Sequence, residues 1–235
     1  MRSVGPLVAV SVLGSLVSLG CNLINSDITA LTFELPTKSY HMDTQGMNIP
    51  AGTAPRVACG PSETVMDCCA PPMAVPGLDC GAVPLTCDAN FCTGHKTVSV
   101  AQMMNLGQEA PELRNVTGQS LADILIKRIT YTASNMLNVD LPAVTIYLAP
   151  AGVTDPASAM KFGTVPPIPA GKPPASGDVM LEPDAQATFS SYAHNFGTPF
   201  GFIAATTLDV PPDSPFPSGS VDISVTGTIS AQPSL

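Results

Sequence analysis

Apolar residues fall at every second position in several separate stretches of the chain, and no other feature limits the fold as much. In VDISVTGTI, Val221, Ile223, Val225 and Ile229 alternate with Asp222, Ser224 and Thr226. Successive side chains of a strand point to opposite sides, so this spacing makes one buried and one wet face. The same reading covers TALTFEL (Leu31, Phe33, Leu35), VTIYL (Val144, Ile146, Leu148) and FGFIAATTLDV (Phe200, Phe202, Ala204, Thr206, Leu208, Val210). TVSV at 97–100 and ILIKRITYT at 124–132 are further strands. In the second the alternation slips, which points to a bulge, while Ser120-x-x-Asp123 leaves a helix start open there.

One helix is expected in EPDAQATFSSYAHNFG, where Phe189, Tyr192, Ala193 and Phe196 recur at helical spacing between Pro183-Asp184 and Gly197. The 25 prolines and 19 glycines punctuate the chain between such elements. TVPPIPAGKPPASG (164–177) is a proline-rich connection, and VPPDSPFPSG (210–219) reads as a long hairpin loop between two strong strands. About six to eight strands with one short helix predict a mainly β fold, an antiparallel β-sandwich of immunoglobulin-like form. Its core is drawn from alternating Val, Ile, Leu and Phe, and a small barrel is the runner-up.

Six of the seven cysteines, Cys59, Cys68, Cys69, Cys80, Cys87 and Cys92, fall in one segment that also carries Pro61, Pro71, Pro72, Pro76 and Pro84. So many prolines exclude a helix or a central strand. Disulfides are the expected reason that such a segment holds together, at about 2–4 kcal/mol each. Neighbouring Cys68 and Cys69 point apart and are expected to take different partners; the pairing is otherwise open. Zinc on Cys87, Cys92 and His95 is the competing reading, against which the ligand spacing counts, so no metal is expected.

The seventh cysteine, Cys21, is left over. It follows Arg2 and an apolar run from Leu7 to Gly20 that is too short for a membrane-spanning helix and reads as a signal-peptide core. Ser18-Leu19-Gly20-Cys21 resembles the lipobox of bacterial lipoproteins, although that family usually has Leu where Ser18 stands and a small residue where Leu19 stands. The resemblance covers residues 1–21 and implies cleavage before Cys21, a diacylglyceryl group on its sulfur and a further acyl chain, such as palmitate, on the new amino terminus. At about 0.8 kcal/mol per buried CH₂, several chains form a lasting membrane anchor. Asn22, rather than the Asp linked with inner-membrane retention, implies the outer membrane. The expected organisation is a signal peptide at 1–20, a lipid-anchored tether at 21–27, and a single β-sandwich at 28–235 with a cysteine-rich insertion at 56–95.

Chemistry is sparse. The net charge of −9, with 9 Lys+Arg against 18 Asp+Glu, supplies no basic stripe for nucleic acid. No Trp is present, so aromatic platforms for sugars or bases are not expected. No nucleophile elbow, phosphate loop, zinc-protease helix or dinucleotide fingerprint occurs. His41, His95 and His194 stand far apart. His41 and Asp43 share a strand face, which reads as surface, and His194 reads as a solvated helix residue. Asp140, Asp178, Glu182 and Asp184 do not assemble a calcium loop. Asn115-Val-Thr117 matches a glycosylation sequon that has no meaning in a bacterial protein.

The expected function is that of a non-enzymatic, lipid-anchored cell-envelope protein whose β-domain is structural or binds an envelope partner. It needs no cofactor, and its membrane contact is the acyl anchor at Cys21. The alternative is a carrier of an apolar ligand between the sheets, which requires an enclosed cavity of about several hundred Å³.

Overall fold

The computed structural model describes residues 31–46, 49, 51–60, 68, 83–110, 121–194 and 197–233. Cys21 with the signal and tether, Cys69, Cys80, the sequon and Phe196 lie outside them.

Two antiparallel sheets face each other. In the first, β11 (Ser220–Pro233) pairs along one side with β5 (Leu121–Asn135), which continues to β8 (Ala175–Asp178). On its other side β11 pairs with β1 (Leu31–Glu34) and then β2 (Lys38–Asp43). The second sheet runs β3 (Leu85–Asp88), β4 (Phe91–Met104), β10 (Phe200–Val210), β6 (Val144–Pro150), β7 (Met160–Val165), β9 (Met180–Leu181). The mainly β antiparallel sandwich read from the alternation is what the chain forms. Eleven strands occur among the described residues, more than expected, because β3, β8 and β9 are too short to show a period.

The inner faces are those the alternation marked. Val221, Ile223 and Ile229 from β11 meet Val144, Ile146 and Leu148 from β6 and Phe200 and Phe202 from β10 in one core cluster. Rings of Phe162, Phe189, Phe200 and Phe202 pack tilted or edge-on, with centroids 5.5–6.2 Å apart. Strand β10 is buried on both faces from Phe200 to Thr206, with Ile203 at 0% exposure opposite the inward Phe202 and Ala204. The slip in 124–132 is a bulge: Thr228 faces Arg128 but Ile229 faces Ile126, so Lys127 is the extra residue.

The 210–219 segment is not a hairpin loop. It leaves β10 in one sheet and enters β11 in the other, and β10 pairs instead with β4 and β6. Asn138 holds it, accepting from Ser218 N at 2.8 Å and donating to Phe216 O at 3.2 Å.

Two helices are present among the described residues. The unforeseen α1 (Leu106–Glu109) is capped by Asn105, whose side chain accepts from Gln108 N, while Glu109 accepts from Asn105 N at 3.0 Å. Lys38 Nζ reaches across from β2, donating to Glu109 Oε2 at 2.6 Å and Met103 O at 2.8 Å, and so ties the two sheets. The expected helix is α2 (Ala185–Ala193), with Phe189 and Ala193 buried and His194 exposed at its end. It packs against β5 of one sheet and β7 of the other and so closes one side of the sandwich. Among the described residues no helix is long and apolar enough to cross a membrane.

Candidate functional site

The β3–β4 hairpin carries the densest cluster of reactive side chains among the described residues. Its two-residue turn is Ala89-Asn90, with φ of 51° and 68°. Left-handed backbone at both positions suits the twist of a tight hairpin, but the usual residues are Asn-Gly or Asp-Gly. Alanine carries a local penalty there of about 1–2 kcal/mol. Covalent bonds outweigh it. Cys87 and Cys92 stand directly opposite each other across the hairpin. Each leads to a different partner, in the bridges Cys59–Cys87 and Cys68–Cys92. The Cys59 segment is also hydrogen-bonded to the hairpin, by Cys59 N to Asn90 O at 3.0 Å and Cys92 N to Val57 O at 2.9 Å. The Arg56 guanidinium lies 4.1 Å from the centroid of the Phe91 ring.

Ligand atoms of Cys59, Cys68 and Cys92 lie within 4.8 Å of one another, so the two bridges touch. Sulfurs bonded to each other offer no thiolate to zinc. His95 is also turned away from them. It is three residues after Cys92, on the opposite face of β4, so the Cys87, Cys92 and His95 grouping is not assembled.

On that outer face four side chains meet. His95 Nδ1 lies 2.7 Å from Asp209 Oδ1, its direct cross-strand neighbour on β10. Its Nε2 lies 2.6 Å from Thr86 Oγ1 and 3.2 Å from Asp88 Oδ2. Thr86 Oγ1 donates to Asp88 Oδ2 at 2.9 Å. The imidazole is half-buried, at 30% exposure, and the carboxylates are open to solvent. Asp209 thus fixes the ring while Nε2 faces a hydroxyl and a carboxylate. Sequence reasoning named His95 but missed Thr86, Asp88 and Asp209. Alternation could have placed all four on outer faces, but the pairing of β4 with β10 brings in a residue 114 positions away.

His41 and Asp43 do share the outer face of β2, and His41 pairs across the strands with Asp222 at 2.7 Å. That hydrogen bond and the Asp222 charge hold the imidazole above its ordinary range, with Asp43 adding to the effect. Both partners are exposed, so this is a surface pair. Asp178 is joined to Arg128 at 2.5 Å, and Asp140 accepts from Ala170 N at 2.8 Å.

The interior is close-packed. A cavity of about 20 Å³ lies between the sheets, lined by Leu35, Tyr40, Ile146, Phe162 and Phe202. Burial pushes the Tyr40 phenol well above its ordinary range. A second cavity, of about 10 Å³, lies beneath the hairpin against Leu85, Cys92 and Val210.

No family model matches the chain. No curated protein matches it either. Among solved structures, it is similar to the desmodium yellow mottle tymovirus at 12% identity and a TM-score of 0.23, covering 100% of this chain and 98% of that one. Turnip yellow mosaic virus follows at 11% and 0.24, covering 100% and 92%. The nodavirus particle of the prawn Macrobrachium rosenbergii stands at 11% and 0.25, covering 98% and 96%. Such low TM-scores decide nothing about this chain.

Proposed function

We propose that this chain is a non-enzymatic, lipid-anchored protein of the bacterial cell envelope, tethered to the outer membrane through acyl chains on Cys21. Its sandwich carries the disulfide-held hairpin as a rigid surface for an envelope partner. The observation behind this reading is the cysteine pairing. Cys59, Cys68, Cys87 and Cys92 bond to one another within their own segment and make no demand on Cys21. Close packing supports partner binding over carriage of an apolar ligand, since a space of about 20 Å³ is the size of one water molecule.

The test is mass spectrometry of the mature protein from membrane fractions, with co-purified proteins identified together. An N-terminal peptide beginning at Cys21 with a diacylglyceryl and an acyl mass is expected, and Cys21→Ser should release the protein from the membrane. An unmodified start, or Cys21 bridged to a later cysteine, overturns the anchor.

A further inference from the structure

We propose that His95, Asp88 and Thr86 form a binding site for a first-row divalent cation such as Zn²⁺, with Asp209 orienting the imidazole. The inference goes beyond the anchored-protein reading and does not depend on it.

Three potential ligand atoms form a triangle. His95 Nε2 to Thr86 Oγ1 is 2.6 Å, Thr86 Oγ1 to Asp88 Oδ2 is 2.9 Å, and Asp88 Oδ2 to His95 Nε2 is 3.2 Å. In tetrahedral geometry a cation bound at about 2.0–2.2 Å holds neighbouring nitrogen and oxygen ligands about 3.3–3.6 Å apart, so the hydrogen-bonded triangle opens by about half an ångström to admit one ion in place of its hydrogen bonds. Imidazole nitrogen with carboxylate and hydroxyl oxygens suits a borderline cation better than calcium, which wants more oxygen ligands. The second nitrogen completes the argument. His95 Nδ1 bonds to Asp209 at 2.7 Å, and a carboxylate behind the imidazole sets the tautomer and ring direction that metal ligation needs.

The frame is rigid where the ligands attach. Thr86 and Asp88 flank Cys87, whose bridge to Cys59 fixes the backbone that carries both. The outward side of the triangle is open, with Asp88 at 57% exposure, so water or a partner's side chain can complete the coordination.

The experiment titrates Zn²⁺ alone into the full chain in detergent, by calorimetry, with disulfides intact and any free thiol alkylated. One site is expected. His95→Ala should abolish it, Asp209→Asn should weaken it by about 10–100-fold, and His41→Ala should leave it unchanged. Asp88→Asn removes a ligand charge at nearly constant volume. It should weaken binding at least as much as Asp209→Asn, and it serves if His95→Ala fails to fold. Absence of binding in the wild-type chain overturns the site, as does binding that survives His95→Ala or Asp88→Asn unchanged. An Asp209→Asn chain that binds like wild type overturns the orienting role.

Discussion

The side-chain carbonyl of Gln186, on helix α2, accepts the main-chain N–H of Ile126 at 2.7 Å and so takes the place of a neighbouring strand. Strand β8 pairs with Thr130–Ala133 of β5, so among the described residues the β5 edge before that point has no strand beside it. Gln186 Nε2 donates to Ile124 O at 2.6 Å, and Ser190 Oγ donates to the same carbonyl at 2.9 Å. A helix turned side-on thereby satisfies backbone groups that an open edge leaves ready for another chain.

Gln186→Ala should therefore destabilise the fold by about 2–3 kcal/mol, since it strands a partly buried donor and removes one of two donors to an acceptor. Urea unfolding of the variant beside wild type measures this. A loss under about 0.5 kcal/mol, the size of a neutral surface change, would show that water serves the edge equally well.

Asn135, at 3% exposure, donates to Ile168 O at 2.8 Å and Val139 O at 3.1 Å and accepts from Leu137 N at 3.0 Å. All three partners belong to connections, which this one amide gathers at the end of the sandwich. Asn135→Ala should cost about 3 kcal/mol by leaving them unsatisfied in the interior. Thermal unfolding reads the shift. Gly219 lies against the same turn with φ of +116°, and an added Cβ would sit 2.3 Å from Met136 O. Gly219→Ala is expected to be at least as damaging.

Removing one bridge, by Cys68→Ser with Cys92→Ser, should cost at most about 3.5 kcal/mol, the entropy of an isolated loop of this size, the separation being 24 residues. The other loop, 59–87, interleaves with it, so each bridge shortens the loop that the other closes, and losing both should cost more than the two single losses added. Ala89→Gly should act in the opposite direction, adding about 1 kcal/mol by relieving the left-handed alanine. Denaturant titrations of wild type, each single-bridge loss, the double loss and Ala89→Gly separate these effects.

The His41–Asp222 pair carries a pH dependence of definite sign. The folded protein holds the His41 pKa above its ordinary value, so the native state binds that proton more tightly than the unfolded chain does. Its contribution to stability is complete below about pH 6.5, the unfolded value, and is lost as pH rises through the raised folded value. Asp222→Asn should lower the His41 titration midpoint measured by NMR. An unmoved midpoint would mean that solvent separates the pair.

What the sequence determined alone is the set of inward faces. Val144, Ile146 and Leu148, or Val221, Ile223 and Ile229, are marked by a two-residue period that belongs to the extended backbone itself and needs no partner. Helix α2 was legible for the same reason, since its spacing is local. The tertiary structure decided which strands become neighbours. Strands β10 and β11 follow each other in the chain yet enter different sheets, and Asp209 comes beside His95 only through the register of β10 on β4. Polar outer faces made of similar residues leave that register nearly undetermined by local preference. Only the summed burial of two facing sheets, with two disulfides overriding an ill-suited Ala89-Asn90 turn, selects one arrangement.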